Sequence, residues 1–284
     1  MQEHLEQHTM AALCEGLRVS RSGFYAWRQR DRAPRPVDVA IRTAYEEHRG
    51  KVGAPYLAAE VQAAGFTTSQ RTVGRSLCKQ GLRARVVRKF RHTTDSKHRL
   101  AVEPNLLDRR FTVHRPNRVW VGDITYLRTT QGWLYLAVMI DLFSRQVVGW
   151  QMSQRIDQTL VNDALNAALV TRGMPTGVLI HTDRGSQYCA DSFRTIVAKH
   201  KLIQSMSRKA NCWDNSVAES FFASLKKQCV YGHTLKTRND MTQHIFEYIE
   251  IYYNRVRRHS ANNWVSPVAF ERLHNQASEG RAVH

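Results

Sequence analysis

The sequence predicts an α/β protein: a mixed five-stranded sheet flanked by helices, preceded by an all-helical region. Three observations carry this. Through the N-terminal part, apolar residues recur at helical spacing. Near Arg118 the period changes, and three strand-like runs follow with tight links. From Asp157 onward helical and strand runs alternate, so the order is three strands, helix, strand, helix, strand, helix.

The elements justify themselves in order. Met10–Leu17 and Phe24–Arg28 are short helical patterns, and Ala33-Pro34-Arg35-Pro36 breaks them because proline cannot continue a helix. Asp38–His48, Tyr56–Ala64 and Gln70–Gln80 are three more helices. Gly65 stops the second, and Ser69 is a good N-cap for the third. In that third helix Val73 and Leu77 face inward, while Arg71, Arg75 and Lys79 form an outward basic stripe. Two helices joined by a short turn, the second basic, make a helix-turn-helix pattern. DNA binding and a solvated charged face both remain open from the stripe alone. Arg118–Arg128, Trp133–Phe143 and Gln146–Met152 are expected to be consecutive antiparallel strands. Helix Asp157–Arg172, strand Val178–His181, helix Asp191–Lys199, strand Leu202–Met206 and helix Asp214–Gln228 complete the core, and Arg238–Arg255 is a last long helix. The expected division is 1–85 helical region with the helix-turn-helix, 86–112 basic linker, 113–275 sheet-and-helix core with a C-terminal helix and 276–284 tail.

Composition narrows the partners. The chain has 284 residues, 42% of them hydrophobic, enough for a real core. Its formal net charge is +18, from 42 Lys and Arg against 24 Asp and Glu, which favours a polyanion, nucleic acid before an acidic membrane surface. Between Arg71 and Arg99 there are ten Lys and Arg and one acid, and Arg88–Arg99 suits an extended phosphate-tracking linker. No apolar run is long enough for a membrane span and no signal-peptide pattern opens the chain. The five scattered cysteines form no CxxC, which fits a reducing cytoplasm and disfavours zinc on His4, His8 and Cys14.

Three carboxylates draw attention. Asp183 follows the apolar run Val178-Leu179-Ile180, at a strand end. Glu219 lies on a helix whose Val217, Phe221 and Leu225 recur every fourth residue, beside the apolar face. Asp123 sits inside a strand that is apolar on both faces, where a lone carboxylate is costly unless paired or metal-bound. Acids from a strand end and a packed helix can converge over one sheet edge, an oxygen site suited to magnesium. Asp141 is a rival, but Arg145 is close in sequence and an ion pair is the simpler account. Trp120, Trp133 and Trp150 are expected in the core.

Thirty-five residues separate Asp183 from Glu219. The set resembles the DD(35)E signature of retroviral-type integrases and insertion-sequence transposases. Trp120-x-x-Asp123-Ile124-Thr125-Tyr126, His181-x-Asp183-Arg184-Gly185-Ser186-Gln187-Tyr188, Asp214-Asn215-x-x-x-Glu219-Ser220-Phe221-Phe222 and Tyr253-Asn254-x-x-Arg257-x-His259-Ser260 with Ser266-Pro267 resemble the second-frame (OrfB) product of the IS-three group. The resemblance covers most of the chain. It implies a ribonuclease-H-like core in which Asp123, Asp183 and Glu219 hold two Mg²⁺ ions, with Mn²⁺ as a substitute. It also implies DNA 3′-end cleavage and strand transfer on double-stranded DNA, at the element's terminal inverted repeats and a target. At least a dimer on DNA, the upstream-frame product as a further partner, and a cytoplasmic, nucleoid-associated location belong to the same expectation.

In-line displacement at phosphorus needs no protein nucleophile, so no covalent protein–DNA intermediate is expected. Asn215, one turn before Glu219, is expected to orient it. Lys226, two turns after Glu219, either holds the DNA end or is solvated, and Arg184 either contacts phosphate or pairs with an acid. Tyr253, Asn254, Arg257 and His259 match the family pattern without a definite role. A catalytically silent DNA-binding repressor is the alternative, and a plain ribonuclease-H-type nuclease a third. The intact acids count against the repressor, and the basic helical region counts against the nuclease.

Overall fold

The computed structural model describes residues 9–29, 33–84, 102–208, 215–231 and 234–281. The chain opens with α1 (Met10–Gly16) and α2 (Arg21–Gln29). Helices α3 (Pro36–Glu47), α4 (Ala54–Ala63) and α5 (Gln70–Lys79) then pack around Ile41, Leu57, Val61 and Val73. The Ser69 hydroxyl caps α5 by accepting from the Thr72 amide at 3.2 Å. Val73 and Leu77 are buried, and Arg71, Arg75 and Lys79 are exposed along one side, as the pattern predicts. The expected phosphate-tracking stretch Arg88–Arg99 lies outside the described residues.

Five strands form one sheet in the order β3-β2-β1-β4-β5: β1 (Val119–Thr129), β2 (Gly132–Asp141), β3 (Val147–Ser153), β4 (Leu179–Thr182) and β5 (Ile203–Met206). The first three are antiparallel, while β4 and β5 run parallel to β1. This is the ribonuclease-H-like arrangement. Helices α6 (Gln158–Thr171), α7 (Ser186–Cys189) and α8 (Asp191–Lys199) cover one face, built on Trp120, Met139, Leu165 and Phe193. The other face carries α9 (Ser216–Leu225) and α10 (Arg238–Phe246), packed on Val121, Leu136, Val138 and Ile140. Gly149 allows α6 to lie close, because a Cβ there would stand 2.4 Å from the Ala164 carbonyl oxygen and the Ala168 nitrogen.

Several expectations change. The long helices do not run through as single α-helices: α9 passes into a π-type turn, Lys226–Val230, and α10 into another, Glu247–Tyr253. A further helix, α11 (Pro267–Arg281), extends through most of the expected tail. Its anchor is tertiary: Glu271 takes two hydrogen bonds from Arg172, at 2.5 and 2.6 Å, which no local pattern reveals. Asp141 does not pair mainly with Arg145. Its oxygens accept from the Asn117 and Phe143 amides at 2.7 and 2.9 Å, and the nearer guanidinium is that of Arg172 at 3.9 Å. Burial still pushes the Asp141 carboxyl up to about 6. Trp120 is fully buried, but Trp133 is 47% exposed, stacked edge-on against Tyr126 beside the β1–β2 turn. Trp150 is half-buried and donates to Glu250 at 2.7 Å.

Candidate active site

Strand register brings the first two acids together. Side chains alternate faces along a strand. On β1, Trp120 and Ile124 point into the α6 side, and Val119, Val121 and Leu127 into the α9 side. Asp123 shares the parity of Val121, so its carboxyl faces α9. In the parallel pairing Val121 stands opposite His181. Two residues further on each chain are Asp123 and Asp183, neighbours at the carboxyl end of β4. Sheets of this kind leave their clefts at strand ends.

Electrostatics agree with the register. Asp123 is 5% exposed, and its pKa is pushed well above the ordinary carboxylate value, first by burial and next by the charge of Asp183. The Ile124 amide, donating to Asp123 Oδ1 at 2.8 Å, opposes the shift; Glu219 adds to it and Lys226 opposes it. Asp183 is held by its own loop, since the Gly185 amide donates to its Oδ1 at 3.0 Å. Among the described residues no three His, Cys, Asp or Glu side chains stand close enough to hold an ion between them. Asp123, Asp183 and Glu219 therefore share a field without forming a closed cage. Like charges in one cleft repel, and a cation is what draws such groups together.

The surrounding residues fix this corner. Lys226 is 5% exposed, its ammonium 4.6 Å from the Tyr126 ring centre. Burial lowers its pKa to about 8, against the pull of Asp123. Neither solvated nor at the surface, it sits with the acids. Asn215 does not orient Glu219 through a hydrogen bond; its Nδ2 points to the Gly122 carbonyl at 3.5 Å, tying the start of α9 to β1. Asn215 Oδ1 is buried with no partner among the described residues. Arg184 Nε donates to the Ser207 carbonyl at 2.7 Å, fastening the Asp183 loop to the end of β5. Beneath it His181 is fully buried, with Ser205 Oγ at 2.9 Å from Nδ1 and Ser207 Oγ at 3.3 Å from Nε2. Tyr188 gives no sequence signal beyond its place in the His181 motif. Its hydroxyl is buried without a partner among the described residues, and burial with Asp123 and Asp183 pushes its pKa far up.

Tyr253 packs edge-on against Phe221 of α9, ring centres 4.7 Å apart. Asn254 mimics a strand: its Oδ1 accepts from the Val147 amide and its Nδ2 donates to the Val147 carbonyl, both at 3.0 Å. Tyr253, Arg257 and His259 line a cleft between α9 and α4, the His259 ring edge-on to Tyr253 at 4.8 Å.

Comparison with known proteins follows this layout. A family described as "Integrase core domain" matches residues 113–212, a second so described matches 219–274, and an "HTH-like domain" matches 35–90. Transposase InsF for insertion sequence IS3A of Escherichia coli (strain K12) is 44% identical over 278 residues, 95% of this chain and 96% of its own. The chain belongs to the IS3 transposase family. A 31 kDa protein of insertion element IS600 from Shigella sonnei is 40% identical over 94% of this chain and all of its own. Among solved structures, the HTLV-2 integrase catalytic core domain in complex with magnesium matches with a TM-score of 0.44 and 17% identity, over 56% of this chain and 99% of that one. The transposase family thus spans both the helical region and the sheet. Among the described residues no helix is long and apolar enough to cross a membrane.

Proposed function

We propose that this chain is a DNA transposase that cleaves the 3′ ends of an insertion sequence and joins them to target DNA, as a metal-dependent polynucleotidyl transferase. One observation carries the reading: the parallel β1–β4 register sets Asp123 beside Asp183 on the face covered by α9, and the field at Asp123 includes Glu219 and Lys226.

The donor set fits a hard divalent ion. All three groups are carboxylates, and Asp123 is buried against a like charge that a cation would reverse. Asp123, Asp183 and Glu219 would hold Mg²⁺, two ions in this reading, with Mn²⁺ as a substitute. When bound, the metal supplies Lewis acidity at the phosphate oxygens. The chain's own residues do the rest. Gly185 and Ile124 amides fix the Asp183 and Asp123 carboxylates, and Lys226 adds a positive charge for a DNA phosphate. Arg184, in the same loop and held to the Ser207 carbonyl, would meet a phosphate of the strand being cut. Arg71, Arg75 and Lys79 lie along the exposed side of α5, where phosphates of the terminal repeats would run. Assembly of at least two copies on paired ends, the upstream-frame product as a further partner, and a place at the bacterial nucleoid complete the reading.

The test is strand transfer on DNA carrying the element's ends. Joined products are expected with Mg²⁺ or Mn²⁺ and none with Asp183→Asn, while duplex binding persists. Binding by the wild-type chain without cleavage would replace this reading with a silent repressor.

A further inference from the structure

The cleft faced by Arg257 and His259 holds about 460 Å³. One wall is α9, which presents Ser216, Ser220 and Ser224 at four-residue spacing, and another is the start of α4 at Pro55 and Tyr56. No Asp or Glu lines it among the described residues. Arg258 at its edge is matched by Glu60 at 2.8 Å. Arg257 has no such match. Its Nη2 reaches Ser224 Oγ at a long 3.4 Å and the guanidinium lies within hydrogen-bond reach of the neutral Tyr252 hydroxyl, while its Nε and Nη1 are buried with no well-aligned acceptor among the described residues. Burial acts most on its charge, and disfavours it; the groups that act next are the phenols of Tyr248, Tyr252, Tyr253 and Tyr56, which are neutral at pH 7. Arg145 on the same wall also buries an Nη1 without an acceptor. A buried guanidinium normally has an anion. For Arg257 the described residues supply none, while they supply hydroxyl donors and a guanidinium fork facing a space.

We propose that this cleft is a phosphate-binding site that takes one backbone phosphodiester of DNA, gripped by the Arg257 fork with the Ser224 and Ser220 hydroxyls. Guanidinium matches two phosphate oxygens at once, which an ammonium cannot. DNA is favoured over a small phosphate compound by position. Ser216 and Ser220 flank Glu219 on α9, so a strand at the acids passes the cleft mouth, and α4 of the helical region closes its far side. The assignment to DNA rests on the function proposed above; the phosphate chemistry does not.

Two measurements on the full chain in EDTA test this. Thermal unfolding is compared in inorganic phosphate and in chloride at equal ionic strength. Duplex DNA affinity is measured against salt. Wild type is expected to gain several degrees in phosphate, and Arg257→Gln and Ser224→Asp to gain nothing. Each variant is expected to flatten the log–log salt slope by about 0.9, one phosphate contact. Ser224→Asp supplies the missing counter-charge inside the fold, so it carries the test if Arg257→Gln does not fold. Ala223→Asp, exposed one residue away, controls for added charge and should keep the phosphate response. A thermal response with an unchanged salt slope overturns the DNA assignment in favour of a small phosphate compound. No response in either assay overturns the site. Intact responses without strand transfer would leave the site standing and sink the enzyme reading instead.

Discussion

Asp123 illustrates what one residue costs and why it is kept. Its pKa in the folded chain lies above the ordinary 3.8, so the folded state holds the proton more tightly than the unfolded state does. Stability from this group is therefore present below 3.8 and is lost as pH rises through the folded value. Asp123→Asn removes that loss. In metal-free buffer the variant is expected to melt several degrees higher than wild type at pH 8, the gap closing toward pH 4, while strand transfer disappears. A variant that melts lower at every pH would mean the carboxylate is structural.

At the scale of elements, the chain after α10 is held down by pairings that imitate secondary structure. Asn254 closes both backbone groups of Val147 at the start of β3, and Tyr253 wedges against α9. Asn254→Ala leaves a buried amide and a buried carbonyl without partners, an expected loss of about 2–4 kcal/mol in denaturant unfolding. Because α9 carries Glu219, the loosened packing is also expected to lower strand transfer at temperatures where the variant is still folded. A loss under 0.5 kcal/mol would show that the clamp is not what holds this segment. Gly149 does the opposite job on the α6 side: the absence of a side chain lets a helix backbone approach the sheet.

For the whole molecule, two bodies touch through polar and aromatic contacts. Arg258 donates from Nε to Glu60 and from its backbone amide to the Tyr56 hydroxyl, and His48 Nδ1 lies 3.2 Å from the Tyr252 hydroxyl. The helical region is thus fixed on the same side as the Arg257 cleft. With a net charge of +18, duplex binding is expected to weaken steeply with salt. If α5 tracks phosphates, Arg71→Ala, Arg75→Ala and Lys79→Ala should each lower the log–log slope by about 0.9, and the triple variant by their sum. An unchanged slope in the triple variant would mean that the stripe is only a solvated face.

The order of residues determined most of the helix and strand sequence and the helix-turn-helix, because periodicity and caps are local properties, and it singled out three acids as candidates through the cost of burying a carboxylate. It also carried the family motifs. It did not determine which face each acid takes, since that depends on parallel pairing between residues sixty positions apart. Nor did it reveal that Asn215 reaches Gly122, that Asp141 is nearer Arg172 than an Arg145 contact, or that Lys226 is buried beside Tyr126. Those are choices among several chemically equal partners, and only packing in three dimensions selects one. Helix α11 and the Arg257 cleft belong with them, for each is defined by groups that meet only after the sheet, α9 and the helical region have come together.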